Sequence, residues 1–106
     1  MEKILNLING QLVAPVSDSY IDNYNPSTGN VYSLIPDSDE RDVELAVDAA
    51  KRAFPLWRDM TKEKRSAILI KLSELIQRDL DKLALAESVD NGKPLWLSKS
   101  VDIPRA

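Results

Sequence analysis

Apolar residues are spaced in two different ways along this chain. Up to Pro36 they come in short clusters rich in β-branched and aromatic residues; from Val43 onward they recur every three or four positions. The first spacing suits strands and the second helices. Residues 4–13, ILNLINGQLV, give two short extended pieces around Asn9-Gly10, the dipeptide best suited to a type I′ hairpin turn. Tyr20, Asp22 to Tyr24 and Val31 to Ile35 form a second strand-like pair. Between them Asn25 is held extended by the following Pro26, which pre-sets a turn, while Gly29 can take a positive φ. Two pairs of short strands are therefore expected before the helices.

Pro36-Asp37-Ser38 ends the extended part, and Asp37 or Ser38 can N-cap a helix, with Glu40 placed for a loose capping box from Asp37. Val43, Ala46, Val47, Ala50, Ala53, Phe54 and Trp57 then share one helical face, with Asp39, Arg41, Asp42, Glu44, Asp48 and Lys51 largely off it. Pro55 is expected to close this helix. Thr61 can cap the next, with Glu63 in its first turn. Ile68, Leu69, Leu72, Leu75, Ile76 and Leu83 supply its apolar face, and Asp79 or Asp81 could break residues 61–90 into two helices. Gly92 suits a helix C-terminus and Pro94 the first turn of another helix, which carries Leu95, Leu97, Val101 and Ile103, with Pro104 awkward at its end. The pattern stops at Ala106 without a C-cap and reads as an interruption.

Composition narrows the chemistry. The 106 residues are 43% hydrophobic and 29% charged, with a net charge of −3, ordinary values for one globular domain or part of one. The weak, mixed charge offers no footprint for nucleic acid, and no apolar run reaches the roughly 20 residues of a membrane span. A start with one lysine and a very short apolar stretch does not read as a secretory signal, so a cytoplasmic location is expected. There is no cysteine and no histidine, so a thiolate nucleophile, a thiolate metal site and the commonest general base are all missing.

The local motifs are structural on their own terms. Gly92-Lys93-Pro94 lacks the earlier glycine, the preceding strand and the serine or threonine of a phosphate loop, and Pro94 removes an N–H; a helix-to-helix connection fits it better. Asp37, Asp39 and Glu40 at a helix start are explained by capping and the helix dipole. Lys62 to Arg65 read as a solvated first turn, and Trp57 and Trp96 as core or interface residues.

Four segments in fixed order change the scale of the reading. NPSTGNVY (25–32), DVELAVDAAKRAFPLW (42–57), RSAILIKLSELIQRDLDKLALAES (65–88) and DNGKPLWLSKSVDI (90–103) resemble the amino-terminal region of NAD(P)-dependent aldehyde dehydrogenases, over residues 5–106. SYIDNYNPSTGNVY, AES-x-DNGK and VDIPRA look closest to the branch acting on 2-aminomuconic or 2-hydroxymuconic semialdehydes. The resemblance implies the α/β fold of that family. Within it, residues 1–36 would be a short amino-terminal β-hairpin region. Residues 37–106 would be three to four α-helices, the helical layer of an incomplete cofactor-binding domain.

It also implies chemistry that these residues do not carry. In such enzymes a thiolate attacks the aldehyde, hydride passes to the nicotinamide and water releases the acid. The nucleophile, base and oxyanion donor lie in parts of the family's chain beyond this stretch. No catalytic residue, and no NAD or NADP site, is expected here. The implied partners are the rest of the polypeptide and further copies of it in a homo-oligomer. One family site is partly represented: a monovalent cation, Na⁺ or K⁺, held by the backbone carbonyls matching Asn23 and Tyr24 and a carboxylate matching Asp102. Without the resemblance, the alternative is a self-standing helical interaction module. In either case an isolated chain is expected to be marginally stable or self-associating.

Overall fold

In the first strands the chain reverses at two consecutive left-handed residues, Asn9 (φ 53°) and Gly10 (φ 74°). Two positive φ values define the I′ turn expected from Asn-Gly, and they set the register of β2 (Asn6–Ile8) against β3 (Gln11–Val13), with Ile8 opposite Gln11. The computed structural model describes all residues, Met1 to Ala106. They form two compact units: Met1–Tyr24 with Val31–Asp59, and Asn25–Asn30 with Met60–Ala106.

The first unit holds a second sheet, in the order β1-β5-β4, made of β1 (Glu2–Lys3), β4 (Tyr20–Tyr24) and β5 (Val31–Pro36). β4 and β5 are the second strand pair expected from the sequence, and they run antiparallel. β1 was not expected. It is two charged residues long, too short to show any alternation, and it exists because the free edge of β5 accepts it in parallel. Asn23 pairs with Ser33 and Tyr24 with Val31, so Tyr32 is one residue too many, a β-bulge in β5. At this irregularity the Asn23 amide Nδ2 donates to Tyr32 Oη (3.0 Å) and to Ser33 Oγ (3.2 Å), giving the fully buried serine hydroxyl a partner.

Helix α1 (Glu40–Asp59) departs from expectation at both ends. Its N-cap is Asp39 rather than Asp37 or Ser38. The Asp39 carbonyl accepts from Val43 N–H, and its Oδ1 accepts from Arg41 N–H at 2.9 Å. The reciprocal half of the capping box comes from Asp42, whose Oδ2 accepts from Asp39 N–H at 2.9 Å. Asp42 therefore turns inward instead of lying on the wet face, and only 3% of it is exposed. Its other oxygen accepts from Val16 N–H at 2.9 Å. Nor does Pro55 close the helix. The helix gives up the Pro55 donor, and Leu56 to Asp59 continue in helical conformation beyond it. The seven residues expected on the apolar face of α1 are all exposed here, Val43 at 58% and Phe54 at 57%, and the buried alanine, Ala49, lies outside that set.

In the second unit Thr61 caps α2 (Lys62–Arg78), its side chain accepting from Lys64 N–H. Asp79 divides residues 61–90 as one of the two sequence alternatives allowed, its N–H bonded to Leu75 O and its own carbonyl receiving Leu83 N–H. Helix α3 (Leu80–Asn91) ends at Gly92 in the left-handed conformation, φ 78°. Pro94 caps a last helical stretch: α4 (Leu95–Leu97), a π-helical turn (Ser98–Asp102) and α5 (Ile103–Arg105). Ala84 and Ser98 are fully buried, and the Ser98 hydroxyl meets that of Ser88 at 2.8 Å. The Asn25–Asn30 turn belongs to this unit. Asn25 N–H bonds Asn30 O, Gly29 N–H (φ 72°) bonds Asn25 O, and Ser27 N–H bonds Asn25 Oδ1.

Candidate functional site

The polar residues that draw most attention follow the stop at Gly92. Asn91 is tied in place twice: Nδ2 donates to Glu87 Oε1 (2.7 Å) and Oδ1 accepts from Lys93 N–H (2.9 Å). This turn points Lys93 toward the π-helical segment, where Nζ meets Asp102 Oδ2 at 2.8 Å. The hydrogen bond to Asp102 raises the Lys93 pKa, with a smaller contribution from the charges of Asp102 and Glu87 opposing the desolvation. An ammonium committed to a carboxylate is not a free phosphate ligand, and Gly92 serves as a helix cap. The segment is a helix-to-helix connection.

The three residues of the expected cation set fall in different units. Asn23 and Tyr24 close β4 in the first, beside the bulge at Tyr32, and Asp102 ends the π-helical turn of the second. Neither unit assembles the set by itself, and the carboxylate of Asp102 already has a cationic partner in Lys93. No group of three or more histidine, cysteine, aspartate or glutamate side chains that could hold a metal occurs in the structure.

The acidic cluster near residue 39 is structural. Asp39 forms a 2.7 Å ion pair with Arg41, and this hydrogen bond lowers its pKa and raises that of the arginine. Asp37 Oδ2 accepts from Ser19 Oγ at 3.4 Å. Trp96, expected in a core or interface, is 68% exposed in this chain. An open groove in the first unit is lined by Leu7, Ile8, Asn9 and Gly10 of the hairpin and by Ala46, Ala49, Ala50 and Ala53 of α1. Nothing here pairs a nucleophile with a base. The residues that sequence reasoning missed, Asp42 and Ser98, organise structure; the three-residue spacing of Asp39 and Asp42 was the available signal for the first.

Comparison with known proteins supplies what the geometry lacks. The profile of the aldehyde dehydrogenase family matches residues 13–106. This chain belongs to the aldehyde dehydrogenase family. It is 45% identical over 101 residues to human 2-aminomuconic semialdehyde dehydrogenase, covering 95% of this chain and 20% of that protein. The aldehyde dehydrogenase of Deinococcus radiodurans is 44% identical over the same shares. Among solved structures, PnpE in complex with nicotinamide adenine dinucleotide superposes with a TM-score of 0.93 at 37% identity, covering 99% of this chain and 21% of PnpE. The NAD⁺ complex of the Bacillus cereus aldehyde dehydrogenase gives 0.92 at 36% identity, over 96% and 21%. The chain thus corresponds to an amino-terminal portion of these oxidoreductases and spans about a fifth of their length. The strands-then-helices order that the resemblance implied is the family's fold. No helix is long and apolar enough to cross a membrane.

Proposed function

We propose that this chain is the non-catalytic amino-terminal portion of a cytoplasmic, homo-oligomeric NAD(P)-dependent aldehyde dehydrogenase, and that the whole enzyme oxidises a muconic semialdehyde to the acid. The observation that carries this reading is coverage: the likeness takes in nearly the whole chain but a fifth of each relative. Identities of 44–46% to the 2-aminomuconic semialdehyde dehydrogenases of mouse, cow and man support the substrate class. The residues present do not fit a dinucleotide. The single Gly-Lys pair follows a helix, and its ammonium is engaged by Asp102. The role left to this stretch is to cover and support. It leaves large apolar side chains uncovered, with Val43 58%, Leu56 71%, Leu69 57% and Trp96 68% exposed.

The test is to express the native reading frame containing these codons beside the 106-residue chain, and to assay both with NAD, NADP and a panel of aldehydes. The reading requires turnover by the long product alone. Turnover by the 106-residue chain would sink it. A reading frame ending at codon 106 would favour the helical interaction module, which the same surplus of apolar surface also suits.

The monovalent cation belongs to this proposal. The Asn23 and Tyr24 carbonyls and the Asp102 carboxylate would hold Na⁺ or K⁺ in the complete enzyme, where Asp102 must exchange the Lys93 ammonium for the ion. Thermal stability of that enzyme should then rise with the ion and lose this response in Asp102→Asn; an unchanged response in the variant removes Asp102 from the set.

A further inference from the structure

The dipeptide Asn-Gly occurs twice, at Asn9-Gly10 and Asn91-Gly92. It is the pair in which a backbone amide most easily attacks the preceding side chain, because glycine puts no Cβ in the way. Both asparagines are exposed, so access to water does not separate them. Hydrogen bonding does. At the tip of the β2–β3 hairpin neither the Asn9 carboxamide nor the Gly10 N–H is engaged, and nothing lies within 4 Å of the position a Gly10 Cβ would take. This hairpin is a sheet of only two strands with Leu7 and Leu12 exposed, so it opens at little cost. At the end of α3 every participant is held. Asn91 Nδ2 is bound by Glu87, Asn91 Oδ1 by Lys93 N–H, and Gly92 N–H donates to Ser88 O at 3.0 Å.

We propose that Asn9 is a site of non-enzymatic deamidation and isoaspartate formation, and that the C-terminal cap of α3 protects Asn91 from the same reaction. The Gly10 amide nitrogen gives up its proton and attacks Cγ of Asn9. The N–Cγ bond forms, the Cγ–Nδ2 bond breaks, and ammonia leaves carrying the proton. Water then opens the succinimide at either carbonyl, leaving aspartate or isoaspartate at position 9. Water is the only co-reactant and nothing is oxidised. The isoaspartyl product adds a methylene to a two-residue turn, which cannot then keep Ile8 opposite Gln11.

The test incubates the full product of the reading frame that contains these codons in mildly alkaline buffer, with and without denaturant, and maps aspartate and isoaspartate at both positions. Position 9 should lead position 91 by about tenfold or more in native buffer, since the reacting amide and carboxamide are themselves hydrogen-bonded only at Asn91-Gly92. The two should converge in denaturant. Equal native rates, a lead at position 91, or a gap that survives denaturation would overturn the proposal. Glu87→Ala supplies the second arm: removing the acceptor of Asn91 Nδ2 should speed reaction at 91 and leave 9 unchanged, and an unmoved rate at 91 refutes the protection.

Discussion

Gly92 faces Pro26 where two family markers meet: a Cβ on Gly92 would lie 3.1 Å from Pro26 Cγ, and Gly92 already holds a φ of 78°. Both the left-handed backbone and the proline ring disfavour a side chain there. Gly92→Ala should therefore lose the cost of a left-handed alanine, about 1 kcal/mol, and a further share for displacing the ring. Gly10 provides the comparison, because its positive φ is similar but a Cβ there meets nothing within 4 Å. Thermal melts should show Gly92→Ala falling by more than about 5 °C and Gly10→Ala by less. Equal losses would mean that the Pro26 contact contributes nothing.

Asp42 is a single carboxylate with two backbone donors, Val16 N–H and Asp39 N–H, both at 2.9 Å. It ties the start of α1 to the segment after β3. Asp42→Ala strands both donors and should cost about 2–3 kcal/mol in urea unfolding. Asp42→Asn keeps the shape and one acceptor oxygen but turns its NH2 toward the other backbone donor, so it should lose only somewhat less than the alanine. If the two variants unfold alike, only one of the bonds is holding the helix start.

How far these features were legible from the residues depended on range. Asn9-Gly10, Thr61 and Gly92 announce their conformations through local chemistry, and each was found where the residue types put it. Asp42 was misplaced because its burial depends on Val16, a partner 26 residues away in sequence. Helical periodicity puts a charged residue outside by default. Proline disfavours a helix interior through its missing donor and its ring, yet four further residues stay helical after Pro55, a continuation that its local chemistry does not announce. β1 depends wholly on the edge of β5. The functional assignment was legible only as an ordered series of motifs, since the residues present carry no reactive set that physics alone could recognise.

The exposed ion pairs make stability depend on pH at both extremes. Lys93 has a raised pKa in the folded chain, so its contribution is complete below the ordinary lysine value and is lost as pH rises through the folded value. Asp39 and Asp79 are lowered, chiefly by hydrogen bonds from Arg41 and Arg78. Their contribution is present above the ordinary aspartate value and is lost as pH falls through the depressed ones. A plateau across neutral pH should fall away on either side, and added salt should flatten both limbs. Lys93→Met, which keeps the apolar stem, should remove part of the alkaline limb and leave the acid limb alone. An alkaline limb identical to that of the parent would assign it to other groups.

Ser88 and Ser98 share a 2.8 Å hydrogen bond between hydroxyls, with Ser98 fully buried. This bond fastens the π-helical turn to α3, and so positions the segment carrying Asp102. Removing one hydroxyl leaves the other without its partner, whereas removing both leaves no polar group to satisfy. Ser88→Ala and Ser98→Ala should each cost about 1 kcal/mol, and the double variant less than their sum, with a coupling of about 0.5–1 kcal/mol. Strict additivity in urea unfolding would show that each hydroxyl is satisfied independently. In that case the π-helical turn is held by the packing of Val101 and its flanking helical turns rather than by this bond.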